Sequence, residues 1–247
     1  MYNLGLVSVS FRQLGVDEII AAVKNAGLTC IEWGSDVHAP CKDAERLRYI
    51  SRRCAEENIE ICSYGSYFTI GETPRSELWR YIDAAKLLGT DIIRVWAGAK
   101  GSAEYSSGEL AAFCDECRAL ASVAAENGVT LCMECHNNTV TDTLDGALRL
   151  MKAVDSPNFR MYWQPNQFRT VGENLRYARE IAPYTTHVHV FNWDGPNMYP
   201  LEGAVGIWRD YLSQLGGSRH LLLEFMPDNR PEALPAEADA LRKIAAP

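Results

Sequence analysis

The sequence lacks the features that mark membrane, secreted and nucleic-acid-binding proteins. It has no apolar run long enough to cross a bilayer, and residues 1–10 carry no basic leader, so we expect a cytoplasmic protein with no membrane partner. Basic residues are in deficit, since 24 Lys and Arg stand against 32 Asp and Glu, for a formal net charge of -8. Nucleic-acid binding depends on clustered Lys and Arg, so no nucleic-acid partner is expected.

Nucleotide-binding loops and paired cysteine motifs are also missing. No GxGxxG follows the first predicted strand and no GxxxxGK[ST] occurs, so no nucleotide cofactor is expected. Eight cysteines are present, but they lie in apolar segments of a large chain, which is typical of reduced core thiols. Cys114 and Cys117 have CxxC spacing without a second pair, so we interpret them as helix core residues rather than a zinc or redox site.

Apolar, β-rich runs alternate with longer stretches of helical period along the whole chain. The predicted strands are 4–10, 30–33, 59–64, 92–97, 130–136, 160–164, 187–193 and 221–225. The predicted helices are 16–25, 44–57, 76–88, 110–127, 144–154, 174–181, 205–215 and 234–244, and Gly89 is expected to end the third of them. Eight units in 247 residues predict an α/β fold, a single-domain (β/α)8 TIM barrel over residues 1–247. An open doubly wound sheet is the competing architecture, but the polar residues that end most strands favour the closed barrel.

Acidic, amide and imidazole side chains end four consecutive predicted strands. These side chains are Glu134, Gln164, His189 and Glu224. Strand ends meet at the C-terminal mouth of a barrel, and this mixture of oxygen and nitrogen donors suits Mn2+, Mg2+, Co2+ or Zn2+. The sequence therefore predicts a divalent metal site. His187 points the same way as His189 because the side-chain period of a strand is two, but it lies lower and is interpreted as a core histidine.

A metal and two carboxylates can move a proton next to a carbonyl group. Metal coordination polarises the carbonyl and hydroxyl oxygens and stabilises an enediolate, while Glu134 and Glu224 are the predicted catalytic acid and base. The predicted function is a metal-dependent isomerase or epimerase of a sugar or sugar-like hydroxy-carbonyl compound. A dehydratase or lyase of a keto-sugar or keto-inositol shares the first step and stays an alternative. A small carbohydrate is the expected partner, and a homo-oligomer is compatible with the sequence.

Further side chains near the strand ends are candidates for substrate binding. They are His38, His136, Gln167, Trp33, Trp96 and Trp193. Aromatic rings stack on the apolar face of a sugar, although core packing is the competing interpretation for each tryptophan and loop capping for His38. Glu32 and Arg94 occupy the same interior layer of the predicted barrel and are interpreted as a buried ion pair.

Four segments of the chain resemble the xylose isomerase-like TIM-barrel family, also called sugar phosphate isomerases/epimerases and related to the AP endonuclease family 2 superfamily. They are IEWGSDVH at 31–38, MECHNN at 133–138, HVH at 187–189 and LE at 223–224. The resemblance covers nearly the whole chain and extends to PLEG at 200–203, ahead of a helix. It does not specify a substrate, because the family includes isomerases, epimerases, dehydratases and the endonuclease IV group. Five histidines and a net acidic chain argue against the endonuclease.

The resemblance implies metal ligation by Glu, Asp, His and Glu. Three of these positions transfer directly to Glu134, His189 and Glu224, whereas Gln164 stands where the family has the acidic ligand. Gln167 stands near the position of a histidine found in some epimerases. A glutamine carbonyl can coordinate a metal but brings no charge, so we expect weaker metal retention than the family norm. A sugar-binding barrel whose metal site has decayed is the non-enzymatic alternative.

Overall fold

The computed structural model describes residues 2–246, and within them the chain forms ten strands and eight α-helices. The strands are β1 (Asn3–Val7), β2 (Cys30–Gly34), β3 (Glu60–Thr69), β4 (Ile92–Trp96), β5 (Thr130–Glu134), β6 (Phe159–Trp163), β7 (Thr185–Val190), β8 (Trp193–Asp194), β9 (Asn197–Met198) and β10 (His220–Leu223). The helices are α1 (Val16–Asn25), α2 (Ala44–Glu56), α3 (Leu78–Leu88), α4 (Ser107–Glu126), α5 (Leu144–Val154), α6 (Val171–Ile181), α7 (Val205–Leu215) and α8 (Leu234–Ala245).

Eight parallel strands close into a barrel in the order β1-β10-β7-β6-β5-β4-β3-β2. The seam closes at β1, where Leu6 pairs with Ile31 of β2 on one side and with Leu223 of β10 on the other. The predicted (β/α)8 architecture is thus confirmed, and the open sheet is excluded. The remaining strands, β8 and β9, form a short antiparallel hairpin in the connection between β7 and α7.

The apolar core has an outer and an inner part. The outer part fills the space between the barrel and its helices; there, for example, Trp163 of β6 contacts Trp208 of α7 with ring centroids 5.9 Å apart. The inner part is a small cluster inside the barrel that includes Cys30, Cys62 and Leu222. All eight cysteines are free thiols, as expected, and seven of them are buried.

The strand and helix ends differ in detail from the sequence-based expectation. The first strand stops at Val7, because residues Ser8–Phe11 form a 3-10 turn whose Ser8 hydroxyl accepts a hydrogen bond from the Gly34 N–H at 2.9 Å. The third strand runs five residues further than predicted, to Thr69. The glycine predicted to end α3, Gly89, does adopt a left-handed backbone with φ +85°. Within residues 2–246, no helix is both long enough and apolar enough to span a membrane.

Candidate metal centre and substrate cavity

The C-terminal ends of the barrel strands open into a cavity of about 290 Å³. Its floor contains Glu134 at the end of β5, Gln164 just after β6 and Glu224 just after β10. The strand order places these ends side by side around β7, which carries His189. Charged and amide side chains therefore lie where the loops of a barrel usually carry its chemistry.

The four side chains predicted to hold a metal lie together. Donor atoms of Glu134, His189 and Glu224 all lie within 4.8 Å of one another. The Nδ1 atom of His189 lies 3.4 Å from Oε1 of Glu134, 3.3 Å from Oε2 of Glu224 and 3.1 Å from Oε1 of Gln164. One imidazole nitrogen is thus surrounded by three oxygens, all of them from side chains at neighbouring strand ends.

A second set of buried polar side chains supports these donors from below. Arg94 of β4 donates a hydrogen bond from Nη1 to Oε2 of Glu134 at 2.7 Å and from Nε to Oε1 of Glu32 at 3.2 Å. The Ser63 hydroxyl donates to the other oxygen of Glu32 at 2.8 Å. The expected Glu32–Arg94 ion pair is confirmed, and its extension to Glu134 was not predicted. On the far side of the imidazole, Nε2 of His189 lies 3.6 Å from Glu32.

Gly65 of β3 has no side chain, and the Glu32–Arg94 ion pair occupies the space that a side chain there would fill. A Cβ atom built at Gly65 would lie 2.8 Å from Oε1 of Glu32 and 3.1 Å from Nη2 of Arg94, closer than a methyl group tolerates. The charged pair therefore lies directly against the strand backbone.

Burial and mutual attraction set the protonation states of this cluster. Burial alone would favour the neutral acid, but Arg94 and His189 lower the pKa of Glu134 to about 2. His189 and Arg94 likewise lower the pKa of Glu32 against the effect of burial. Burial opposes protonation of His189, yet the surrounding glutamates, Glu224 first among them, raise its pKa well above the ordinary value. The carboxylates of Glu32 and Glu134 are therefore charged near neutrality, and the imidazole of His189 beside them attracts a proton.

The charge of the cluster fits a divalent cation. Three buried carboxylates, those of Glu32, Glu134 and Glu224, face one guanidinium, that of Arg94, which leaves two negative charges unbalanced when His189 is neutral. An uncompensated buried charge is costly, so the cluster demands a cation. One nitrogen and three oxygen donors are a common set for borderline or hard divalent ions. A metal would replace the proton on His189, because only neutral imidazole coordinates.

Four of the six predicted substrate-binding side chains line the cavity. Trp96 and His136 meet edge to face with ring centroids 4.5 Å apart, and Trp193 and Gln167 also line the cavity. Nδ1 of His136 lies 2.8 Å from the carbonyl oxygen of Asn137. The indole N–H groups of Trp96 and Trp193 are buried and have no hydrogen-bond partner among residues 2–246. Buried donors of this kind are suited to a ligand oxygen.

The other two predicted substrate contacts, Trp33 and His38, lie away from the cavity. Trp33 follows Glu32 in β2 and so points to the opposite face of the strand, toward the helices, where it is fully buried and meets His38 edge to face at 5.8 Å. Nε2 of His38 lies 3.1 Å from the backbone oxygen of Leu14. His38 thus ties two loops together, which is the alternative given above.

Sequence reasoning missed several side chains that line the cavity. Arg12 and Tyr67 lie at its rim, where Arg12 donates to the Tyr67 hydroxyl at 2.8 Å and to Asp36 at 2.6 Å. Phe225, which follows Glu224, has a left-handed backbone with φ +49° and donates its N–H to the Ser10 hydroxyl at 3.0 Å. The position of Phe225 after a predicted catalytic residue was the only sequence signal for this group.

The cavity lining also includes the thiol of Cys135. Cys135 follows Glu134, and burial raises the pKa of its thiol to about 12, so it stays protonated and is a poor nucleophile near neutrality.

Comparison with known proteins gives relatives of the same architecture. The chain is similar to a 3-dehydroshikimate dehydratase from Bacillus anthracis, with 24% identity over 206 residues that span 77% of this chain and 71% of that protein. A crystal structure described as a probable 3-DHS dehydratase, AsbF, involved in petrobactin synthesis in Bacillus anthracis, has 20% identity over 98% of this chain and 99% of that one, with a TM-score of 0.79. A structure of an IolI protein with bound zinc has 13% identity, coverage of 98% and 97%, and a TM-score of 0.78.

Further structures that share the fold are described as sugar epimerases, with TM-scores of 0.70 to 0.73. At these identities the structural likenesses show the fold alone. The family model described as xylose isomerase-like TIM barrel matches residues 20–244, which is nearly the whole chain. The resemblance drawn from the four sequence segments is confirmed, and the chain belongs to the xylose isomerase-like TIM barrel family.

Proposed function

We propose that this chain is a divalent-metal-dependent isomerase or epimerase that moves a proton on a carbon next to a carbonyl group of a sugar-like substrate. The observation that carries the proposal is the buried cluster of three oxygens around Nδ1 of His189, with two unbalanced negative charges. Glu134, Gln164, His189 and Glu224 would hold the ion. When bound, it would polarise the carbonyl and the adjacent hydroxyl and stabilise the enediolate that proton removal creates.

Glu134 and Glu224 differ in their surroundings, and we use this difference to assign their roles as acid and base. Oε2 of Glu134 accepts a hydrogen bond from Arg94, which leaves Oε1 facing His189. The low pKa of the Glu134 carboxylate makes it a weak base. Glu224 has no guanidinium partner among residues 2–246, so we assign to it the removal of the carbon-bound proton. Glu134 is ionised at rest, so it first accepts a proton from a substrate hydroxyl or from water and then delivers that proton to the neighbouring carbon or to the opposite face.

The side chains above the cluster orient the substrate. Trp96 and Trp193 present aromatic surface to the cavity and offer indole N–H groups that lack a partner among residues 2–246. His136 and Gln167 add polar atoms at the same level. Aromatic surface with a few convergent polar groups is typical of a site for a small polyhydroxylated ligand, and it also excludes water from the reacting carbon.

The proposal is tested by proton exchange, which does not require the natural substrate to be known. The purified protein, loaded with Mn2+ or Mg2+, is incubated in D2O with a panel of ketoses and keto-polyols. We expect 1H NMR to show deuterium incorporation beside the carbonyl of at least one compound, and the exchange to stop when the metal is chelated. Absence of exchange with every compound, together with absence of metal binding, would leave only a sugar-binding barrel.

A dehydratase is the second candidate, and the curated relative from Bacillus anthracis favours it. Elimination starts with the same proton removal. The electron pair of the C–H bond then becomes the new C=C bond, while a hydroxyl on the next carbon leaves with a proton as water. A conjugated enone absorbs in the ultraviolet, whereas the products of isomerisation do not, so a spectrum of the same reaction mixtures separates the two reactions.

A further inference from the structure

We propose that the substrate cavity continues into a second binding site, which holds the second, neutral ring of a glycoside-like substrate. This inference rests on the proposed function, because it names the class of substrate for the same cavity. A crevice of about 250 Å³ lies between α6 and α7, beside the barrel mouth. The crevice and the cavity have Pro165, Asn166, Gln167, Phe191 and Trp193 in common as wall residues.

The size of the two spaces supports a two-part ligand. The cavity over the candidate metal centre has a volume of about 290 Å³. This is at the lower limit for small-molecule sites, whose volumes span roughly 300–1,000 Å³. Gln167 and Trp193 stand between the two spaces, so a ligand of two linked rings would place one ring over His189 and the other beyond Trp193. A single small sugar would leave the crevice empty.

The chemistry of the crevice indicates what the second ring is. Its walls combine aromatic rings, among them Tyr211 of α7, with the hydrogen-bond acceptors Asp194 and Asn192. Asp194 is exposed, and no salt bridge within residues 2–246 involves its carboxylate. The side-chain N–H of Asn192 donates to Pro200, which leaves its Oδ1 as an acceptor. Acceptors beside aromatic surface match a ring that carries hydroxyl donors on its edge and C–H groups on its face. One guanidinium, that of Arg169, and one carboxylate, that of Asp194, line the crevice, so its charges balance and it favours a neutral ring over a charged one.

Internal hydrogen bonds fix the walls of the crevice. The indole N–H of Trp208 donates to the Phe191 oxygen at 2.8 Å, and the amide of Asn192 donates to the Pro200 oxygen at 2.8 Å. The backbone N–H of Tyr199 donates to the Asn192 oxygen, also at 2.8 Å. A wall fixed in this way loses little freedom when a ligand enters, which favours binding.

Filling the crevice tests the proposal. Ile207 of α7 lines the crevice and not the cavity, so Ile207→Trp adds bulk only to the second site. Asp210→Trp places the same side chain on an exposed position of α7 outside the crevice and is the matched control. Asp194→Asn, on the exposed hairpin, removes the charge of the acceptor without added bulk and serves if the Ile207 variant does not fold.

Binding is measured by isothermal titration calorimetry on the metal-free protein with glucose, galactose and mannose, and with cellobiose, maltose and lactose. We expect at least one disaccharide to bind roughly tenfold more tightly than its component sugars. Ile207→Trp should abolish this preference without changing monosaccharide affinity, Asp194→Asn should reduce it, and Asp210→Trp should keep it.

Equal affinity for disaccharides and monosaccharides in the parent protein, or a preference that survives both crevice variants, would overturn the proposal. Because the readout needs neither metal nor turnover, such a result leaves the proton-exchange test of the proposed function unaffected. Conversely, a disaccharide preference in a protein that shows neither proton exchange nor metal binding would support the second site and refute the enzymatic role.

Discussion

Arg94 joins Glu134 to Glu32 through a buried guanidinium, with Nη1 at 2.7 Å from Glu134 and Nε at 3.2 Å from Glu32. The three side chains are at most 4% exposed, so water screens their charges very little. The guanidinium of Arg94 thus fixes which oxygen of Glu134 faces His189, and it cancels one of the three buried negative charges.

Arg94→Met should destabilise the metal-free protein by about 3–5 kcal/mol, because Glu32 and Glu134 are then buried without the guanidinium that pairs with both of them. Divalent metal should restore more stability to this variant than to the parent, since it supplies the missing positive charge. Urea unfolding with and without Mn2+ measures both effects. Arg94→Lys, which keeps the charge, should lose less. Equal stability of parent and Met variant would show that the ion pair makes no net contribution.

Glu134→Gln and Glu224→Gln should each reduce proton exchange by about 10²- to 10⁴-fold, because each removes an acid or base from the site. Circular dichroism should show the fold intact, since neither side chain belongs to the apolar core. Glu126→Gln, an exposed substitution at the end of α4, is the control. Near-normal exchange in either site variant would remove that residue from the assignment.

Gln164→Asp and Gln164→Glu should bind divalent metal more tightly than the parent, by about tenfold or more, because a carboxylate adds a full negative charge beside His189. The two variants differ by one methylene and so test reach as well as charge. Calorimetric titration with Mn2+ measures the dissociation constants. If neither variant improves on the parent, Gln164 is not a ligand and its match to the acidic position of the family is wrong.

The burial of Glu237 of α8 predicts a pH dependence of stability that is independent of the candidate metal centre. It is 6% exposed and accepts the Leu201 N–H at 3.1 Å, and burial raises its pKa above the ordinary value of 4.5. The folded state therefore binds the proton more tightly than the unfolded state. Stability from this group is complete below about pH 4.5 and is lost as the pH rises through the folded pKa.

Glu237→Gln keeps an acceptor for Leu201 and does not titrate. We therefore expect the free energy of unfolding of this variant to gain on that of the parent between pH 4 and pH 7, as measured by urea unfolding at several pH values. The exposed Glu232→Gln should show no such trend. Parallel curves for the parent and Glu237→Gln would refute the linkage.

The fold could be predicted from the sequence because each βα unit shows its own hydrophobic periodicity. Eight units, their order and most element ends could be predicted from hydrophobic period and helix-ending glycines such as Gly89. The hairpin of β8 and β9 was missed, since two residues per strand are too few to show an alternation. It nevertheless supplies Trp193 and Asp194, which line the crevice.

The sequence predicted which side chains meet at the barrel mouth, but it did not predict how neighbouring strands are staggered along the barrel axis. Strand ends indicated that Glu134, Gln164, His189 and Glu224 would meet, and their donor atoms do lie together. The contact between Arg94 and Glu134 depends on how β4 and β5 are staggered, with Arg94 opposite Cys132, and sequence does not encode that offset. Trp33 is different, because strand alternation already places it on the opposite face from Glu32.

Gly65 has a consequence for comparing and redesigning barrels of this family. Since a Cβ atom there would lie too close to Glu32 and tightly against Arg94, we expect positions 32, 65 and 94 to vary together among homologues. We expect homologous chains that keep the charged pair to keep glycine at position 65, and chains that lose the pair to be free to carry a larger residue. A mutant library aimed at new substrates should therefore leave this strand unchanged and vary the residues of the β8–β9 hairpin and the N-terminal half of α7.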